Sequence, residues 1–229
     1  MILALFLGAC RAPDAVAPVP TLVEAARKVT YTTVTELGAY QLGATIHREL
    51  SLTDHPPQVT DEKFNIRWKD LDNWAFSMAR DERPVEDVLV FASKPFTKMH
   101  GKAWAQRGDP EMLRTELSST WDPWAKALEN FGEQIGFTLE GQEVVEGRKA
   151  QRYSVNLLPA AGAKSRRVWT PREVSGTVWL DEVTAVRLRG EVRGKAVSES
   201  QVLDVVLLFW MIGIGTDPEL SMPETSDGP

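Results

Sequence analysis

The sequence has 229 residues, of which 43% are hydrophobic and 25% charged, and its formal net charge is −6. This composition is typical of a globular chain, and the length suits one large domain. The acidic balance and the lack of a basic patch argue against a nucleic-acid partner. Because the chain has one cysteine, an intramolecular disulfide is excluded.

The first ten residues have the pattern of an export signal. An apolar run over residues 2–7 is far shorter than the ~20 residues of a membrane-spanning helix, and two small residues separate it from Cys10. The segment Leu7-Gly8-Ala9-Cys10 resembles the bacterial lipobox, which implies lipidation of Cys10. We predict a signal peptide over residues 1–9, truncated here because no Lys or Arg precedes the run. The alternative is a buried N-terminal strand that ends in a chance cysteine.

Residues 10–20 are predicted to be the lipidated cysteine and an extended tether. Three prolines lie between residues 11 and 20, so the tether reaches at most about 35 Å. Well-studied lipoproteins that stay at the inner membrane carry Asp after the lipidated cysteine, whereas this chain has Arg11. By that resemblance we expect the periplasmic face of the outer membrane. A single domain is predicted over residues 21–223, followed by a disordered tail over 224–229.

Hydrophobic periodicity predicts a mainly β domain with few helices. Thr21 and Glu24 fit a capping box at the start of a short amphipathic helix. Residues 40–52 then alternate with a period of two, with a single exception at Arg48. Residues 205–214 are apolar on both faces of their strand, which predicts cover from both sides. The other predicted strands are 64–68, 74–78, 88–91, 96–105, 136–145, 148–157, 174–180 and 184–194, and the last one is 201–214.

Two further helices are predicted between the strands. Asp109 and Asp122 each precede a proline, and an acidic N-cap before a proline at the first helical position is a preferred helix start. The apolar spacing after each proline predicts one buried helix face. The second helix is expected to end near Gly132.

About ten antiparallel strands, an N-terminal helix, an inserted helical pair and a lipobox together resemble the periplasmic LolA, LolB and LppX/LprG lipoproteins. The resemblance spans roughly residues 21–223 and rests on the order of elements, since no diagnostic motif lies inside the domain. It implies an α+β, mainly β fold in which a strongly curved half-barrel sheet has its concave face covered by the helices.

We find no catalytic or metal-binding pattern. His47, His55 and His100 lack metal-ligand spacing, and there is no nucleophile elbow or phosphate-binding glycine loop. Asp70 and Asp72 superficially resemble part of a calcium loop but fit a solvated turn better. The sequence therefore predicts a protein that is not an enzyme and has neither a metal nor another cofactor.

The main functional hypothesis is a lipid-anchored envelope protein that binds a lipid, or the acyl chains of a lipoprotein, between the sheet and helices that move as a lid. The alternative is an envelope scaffold that binds a protein partner through its sheet edge or an exposed patch and has no ligand cavity. Packing of the same aromatic residues as an ordinary core also stays open. The candidate cavity residues are Trp68, Trp74, Phe76, Leu113, Leu117, Trp121, Trp124, Leu128, Phe131, Trp179 and Trp210.

Overall fold

The computed structural model describes residues 21–28, 37–106, 108–119, 122–159 and 168–224. The predicted signal peptide, the lipidation site at Cys10, the tether and nearly all of the predicted tail lie outside the described residues. Trp121 also lies outside them. The outcomes below concern the described part of the domain.

The described residues form one antiparallel sheet of eleven strands with three α-helices. In chain order the strands are β1 Tyr40–Leu52, β2 Gln58–Asp70, β3 Asn73–Arg80, β4 Arg83–Phe91, β5 Lys94–Met99, β6 Ala105–Gln106, β7 Ile135–Val145, β8 Arg148–Leu157, β9 Thr170–Asp181, β10 Arg187–Val197 and β11 Gln201–Ile212. The helices are α1 Leu22–Lys28, α2 Pro110–Ser119 and α3 Pro123–Leu128.

The strand order is β6-β5-β4-β3-β2-β1-β11-β10-β9-β8-β7. Two meanders, β1 to β6 and β7 to β11, are joined where β1 pairs with β11 over twelve residue pairs. The sheet is curved. Its end strands β6 and β7 do not pair with each other, so it is not closed into a barrel. The predicted mainly β half-barrel is therefore confirmed.

Tight hairpin turns hold the meanders in register. Residues 81–82, 92–93 and 146–147 all have positive φ, as a two-residue turn that matches the strand twist requires. Glycine occupies only one of these six positions, at Gly147, so the other turns place side chains in a conformation that most residues avoid.

One face of the sheet carries the main core, and we call it the helix face. On β11 every second residue from Leu203 to Met211 is buried on this face, as alternation predicts. The three helices pack on this side, where Ala26, Leu117 and Leu128 join the same apolar cluster. None of the described helices has both the length and the hydrophobicity of a membrane span.

The opposite face, which we call the outer face, is covered over β2 to β5 by the segment after β11. Lys69 forms an ion pair with Asp217 at 2.6 Å, and Arg67 donates a hydrogen bond to the Glu219 carbonyl at 2.9 Å. Leu220 packs on a small second cluster formed by Ala75, Leu89 and Phe96. The end of the chain thus serves as a strap across one half of the outer face.

Several predicted boundaries need correction. The sheet has eleven strands, because the predicted strand 96–105 is divided: β5 ends at Met99, and the two-residue strand β6 begins at Ala105. Strand β9 is longer than predicted, and β10 begins three residues later because residues 182–184 form a turn around Asp181. Strand β11 ends at Ile212, where Gly213 takes a positive φ. In each case local hydrogen bonding or backbone conformation moved an end that hydrophobicity had placed within a few residues.

Candidate functional site

The helix face between the sheet and α3 is the candidate ligand site predicted from the sequence. Trp68, Trp74 and Phe76 project from β2 and β3 into its core. Tyr40 stacks on Trp68 with ring centroids 6.3 Å apart, and Trp68 stacks on Trp74 at 6.2 Å. This aromatic ladder crosses neighbouring strands, as cross-strand pairs on one face do.

Trp74 has an unsatisfied polar group. Its side chain is fully buried, and its indole Nε1 has no hydrogen-bond partner among the described residues. An unpaired buried donor costs about 1–3 kcal/mol, so such groups are rare. A ligand or water that presents an oxygen at this position would remove that cost.

Helix α3 brings the other predicted residues to the same face. The Asp122 side chain caps it by accepting a hydrogen bond from the Trp124 backbone N–H at 2.9 Å. Trp124 then contacts Phe209 edge-to-face, with ring centroids 5.9 Å apart, and Leu128 and Phe131 are buried beside it. Leu113 and Leu117 of α2 belong to the same cluster.

Arg187 connects α1 and α3. Its guanidinium lies 4.8 Å from the Trp124 ring centroid, and it donates a hydrogen bond to the Ala26 carbonyl at 3.1 Å. Burial raises the pKa of the Asp122 carboxyl, whereas the nearby charge of Arg187 and the backbone N–H groups of α3 oppose that shift. Arg187 therefore stabilises both the position and the electrostatics of the helix start.

A polar cluster of Arg48, Glu62, Arg80 and Lys126 lies at the far end of the helix face. Glu62 is 1% exposed and accepts hydrogen bonds from Arg48 and Arg80, the latter at 2.9 Å. Lys126 of α3 approaches the same carboxylate at 3.3 Å. Burial alone would raise the pKa of Glu62, but the three cations hold it below its ordinary value of 4.5.

Arg48 also contacts the α3 backbone. Its Nη2 donates a hydrogen bond to the Lys126 carbonyl at 2.9 Å. Arg80 contacts Glu62 but has no such hydrogen bond to α3 among the described contacts. The polar cluster thus joins the short helix to β1 and β2 through one arginine backbone contact and one lysine ion pair.

Sequence reasoning missed this cluster, although one signal pointed to it. Arg48 breaks the alternation of β1, which places a charge on the apolar face of the strand. Glu62 does the same on β2, two residues before Phe64. Two opposite charges on the same face of neighbouring strands could have been read as a buried pair.

Trp179 and Trp210 lie elsewhere, and this corrects the prediction that they share a space with the other candidates. Val178 and Leu180 are buried on the helix face, so alternation turns Trp179 to the outer face. Trp210 lies between the buried Phe209 and Met211 and is 41% exposed on the outer face. The apolar strand end is therefore covered on one side only, contrary to the predicted cover from both sides.

Within the described part of the domain, side chains fill the predicted space beneath the helices. Trp74 and Phe131 expose no surface, and Phe76 exposes almost none. A ligand can occupy this part of the helix face only if the helices or side chains that cover it move away. Among the described residues there is no group of three or more side chains suited to hold a metal ion.

Comparisons with known proteins give remote structural similarities. No family model and no curated protein matches the chain. A LolA superfamily protein from Nitrosomonas europaea is similar at 14% identity, over 87% of this chain and 93% of that chain, with a TM-score of 0.29. MucB is similar at 14% identity, over 82% of this chain and 58% of that chain, with a TM-score of 0.31.

A putative outer membrane lipoprotein-sorting protein domain from Vibrio parahaemolyticus is similar at 11% identity. The alignment covers 82% of this chain and 90% of that chain, with a TM-score of 0.26. At these identities and TM-scores the similarities carry no argument about what this chain binds.

Proposed function

We propose that the protein is a lipid-anchored, non-enzymatic protein of the cell envelope that binds a lipid or the acyl chains of a lipoprotein on its helix face. The anchor is Cys10, and the location is the periplasmic face of the outer membrane. The observation that carries the proposal is the closure of an apolar sheet face by a six-residue helix that the polar cluster holds in place.

The physical argument concerns what moves and what replaces it. When α3 leaves the sheet, the apolar surface around Trp124 and Phe131 becomes exposed. An acyl chain that takes its place contributes about 0.8 kcal/mol per buried methylene and so offsets that exposure. The unpaired Nε1 of Trp74 supports a ligand with a carbonyl or ester oxygen, because such a group accepts its hydrogen bond.

The test uses the full chain with Cys10→Ala, produced in a bacterial periplasm. Native mass spectrometry and lipid extraction are expected to find a lipid at one per protein, or uptake of phosphatidylglycerol from added micelles. A protein that stays free of lipid under both conditions would contradict the proposal.

Two matched substitutions test the role of α3. Arg48→Lys removes the planar group that reaches both Glu62 and the Lys126 carbonyl, so we expect lipid exchange to become about tenfold faster. Arg80→Lys changes a second arginine on the same carboxylate and should exchange lipid at the original rate. Equal rates in the two variants would exclude opening at α3 as the entry step.

The alternative function, a scaffold for a protein partner, is favoured by a different observation. Strand β7 ends the strand order, and no strand of the described residues pairs with its outer edge, so these backbone groups can pair with a strand of another protein. Leu139 and Val144 are exposed on this strand. A lipid-free protein whose β7 backbone amides become protected from hydrogen exchange in the presence of an envelope extract would favour this function.

A further inference from the structure

A cleft of about 750 Å³ opens beside the polar cluster, where β3 and β5 end and β4 begins. Arg80 of that cluster lines the cleft, and Arg83 lies directly opposite Arg80 in the pair of β3 and β4. Opposite residues of an antiparallel pair point to one face of a sheet, so both arginines are on the helix face. The volume of the cleft is within the range of small-ligand sites in proteins.

The loop after β5 brings two more basic side chains to the cleft. The His100 backbone N–H donates a hydrogen bond to the Val85 carbonyl at 3.2 Å, which holds the loop beside the start of β4. The Lys102 backbone N–H donates to the Met99 carbonyl at 3.0 Å, and Gly101 between them has a positive φ, so the loop turns tightly. The side chains of His100 and Lys102 therefore line the cleft together with the arginines.

The cleft has an excess of positive charge, although the net charge of the chain is −6. Among the described residues, Arg83 and Lys102 form no ion pair with a carboxylate. Asp81 is the one carboxylate among the described residues that line the cleft, since Glu82 and Glu86 do not line it. The two unpaired cations are thus available to an anion from outside the chain.

The neighbouring polar cluster adds to this positive potential. Three cations, Arg48, Arg80 and Lys126, share the single carboxylate of Glu62, so two positive charges are in excess there. Arg80 is already committed, because its Nε and Nη2 donate to Glu62 at 3.2 and 2.9 Å. Charges of one sign around a cleft attract ligands of the opposite sign. The groups left to contact an anion directly are therefore those of the β4 start and the loop after β5.

The other wall of the cleft is apolar and leads toward the core. Pro84, Val85 and Met99 form this wall. Met99 is 40% exposed, whereas Val85 is partly buried and packs against the main apolar cluster of the helix face. An inorganic anion would leave this wall in water. A molecule that joins an anionic head to an alkyl chain would cover the wall as well as the cations.

The geometry favours phosphate as the anionic head. Arg83 and Lys102 reach the cleft from different segments, β4 and the loop after β5, so they approach an anion from different directions. A phosphate group presents several acceptor oxygens around one centre, and it accepts well from both guanidinium and ammonium groups.

We propose that this cleft binds the phosphate group of an anionic phospholipid, with Arg83 and Lys102 as headgroup contacts and Met99 and Val85 as the start of the acyl-chain path. The inference rests on the lipid-binding function proposed above, and it adds the headgroup chemistry of the lipid and the end of the helix face at which the headgroup lies.

The test is a competition measured by native mass spectrometry. The full chain carrying Cys10→Ala is mixed with nonionic detergent micelles that contain equal amounts of phosphatidylglycerol and phosphatidylcholine with the same acyl chains. The two lipids share the phosphate, but choline cancels its charge. We expect about tenfold more bound phosphatidylglycerol than phosphatidylcholine, as two exposed ion pairs of about threefold each would give. Higher salt should reduce this ratio.

Substitutions at the two cations measure their share of the preference. Arg83→Gln and Lys102→Gln should each lower the ratio about threefold, and the double variant should bind the two lipids equally. Lys94→Gln is the matched control, because Lys94 is an exposed lysine at the opposite end of β5 and its loss changes the net charge equally. It should keep the original ratio. Thermal unfolding checks that each variant is folded.

The outcomes separate this inference from the lipid-binding function. Equal binding of the two lipids, or a ratio that Arg83→Gln and Lys102→Gln leave unchanged, would overturn the headgroup site while lipid binding itself stands. Absence of both lipids would contradict the lipid-binding function. Isothermal titration that finds glycerol 3-phosphate bound as tightly as the lipid would assign the cleft to a free phosphate ester instead. Charge-dependent binding to phosphatidylglycerol vesicles, without a lipid bound at one per protein, would assign it to a membrane surface.

Discussion

On each face of the sheet a glycine leaves room for an aromatic ring, but only one of the two rings is buried. On the helix face, Gly194 leaves room for the ring of Phe131, and on the outer face, Gly43 leaves room for the ring of Trp210. Phe131 exposes no surface, whereas Trp210 is 41% exposed. The difference lies in the second layer. Helices cover the helix face, whereas the C-terminal strap covers the outer face only over β2 to β5 and does not reach Trp210 on β11. An aromatic residue opposite a glycine therefore stabilises the fold only where a second layer encloses it.

The largest expected effect comes from truncating these two rings. Phe131→Ala should lower the free energy of unfolding by about 3–5 kcal/mol, because it removes buried apolar surface and leaves a cavity. Trp210→Ala should lower it by less, about 1–2 kcal/mol, since 41% of the residue already contacts water. Urea unfolding measures both values. Equal losses would show that the outer ring is part of the core.

A smaller effect is expected from adding a methyl group beneath each ring. Gly194→Ala should cost about 1–3 kcal/mol, because Phe131 is enclosed and has no space to move. Gly43→Ala should change stability by no more than about 0.5 kcal/mol, since Trp210 can rotate toward solvent. Neither glycine has a positive φ, so backbone strain does not confuse the comparison. Thermal and urea unfolding of the two variants measure these losses. A larger loss in Gly43→Ala than in Gly194→Ala would show that Trp210, and not Phe131, is the enclosed ring.

The smallest expected effect is on the pH dependence of stability. The pKa of Glu62 is lower in the folded chain than in the unfolded chain, despite its burial, because Arg48, Arg80 and Lys126 stabilise the carboxylate. The unfolded chain then binds more protons in the acid range, so this stability is complete above about pH 5 and is lost as the pH falls through the folded pKa.

Glu62→Gln should therefore reduce the slope of unfolding free energy against pH in the acid range, besides lowering stability at neutral pH. Exposed pairs on the outer face, such as Glu191 with Arg193, should contribute at most about 1 kcal/mol. Urea unfolding at several pH values measures these slopes. An unchanged acid slope in Glu62→Gln would mean that the buried carboxylate does not couple to folding.

Much of the architecture was predictable because it depends on local patterns. Alternation gave the strand of residues 40–52 with its actual ends, and the capping acids Asp109 and Asp122 both accept hydrogen bonds at the predicted helix starts. The capping box of Thr21 and Glu24 also forms, with the Thr21 backbone N–H donating to Glu24 at 2.8 Å. These features involve residues close together in sequence, so their physics is contained in a short segment.

The candidate site was predictable only in part, because composition does not say which face of a strand will be covered. Trp74 and Trp210 are both strand tryptophans, yet one is fully buried beneath the helices and the other is in an open groove. Their faces follow from alternation relative to buried neighbours, which requires knowing the side on which the helices pack. The outer row of Trp179, Arg189 and Trp210 likewise exists only through the register of three strands.

The sequence by itself therefore determined most of the elements: where the helices start and which strands alternate. The tertiary structure alone decided the assembly of the polar cluster, where Arg48 and Glu62 meet Lys126 from a helix 78 residues further along the chain than Arg48. Periodicity and capping depend on neighbours a few residues away, so they can be predicted from the sequence. Closure and cover depend on contacts between distant segments, whose free energy is set by the packed structure as a whole.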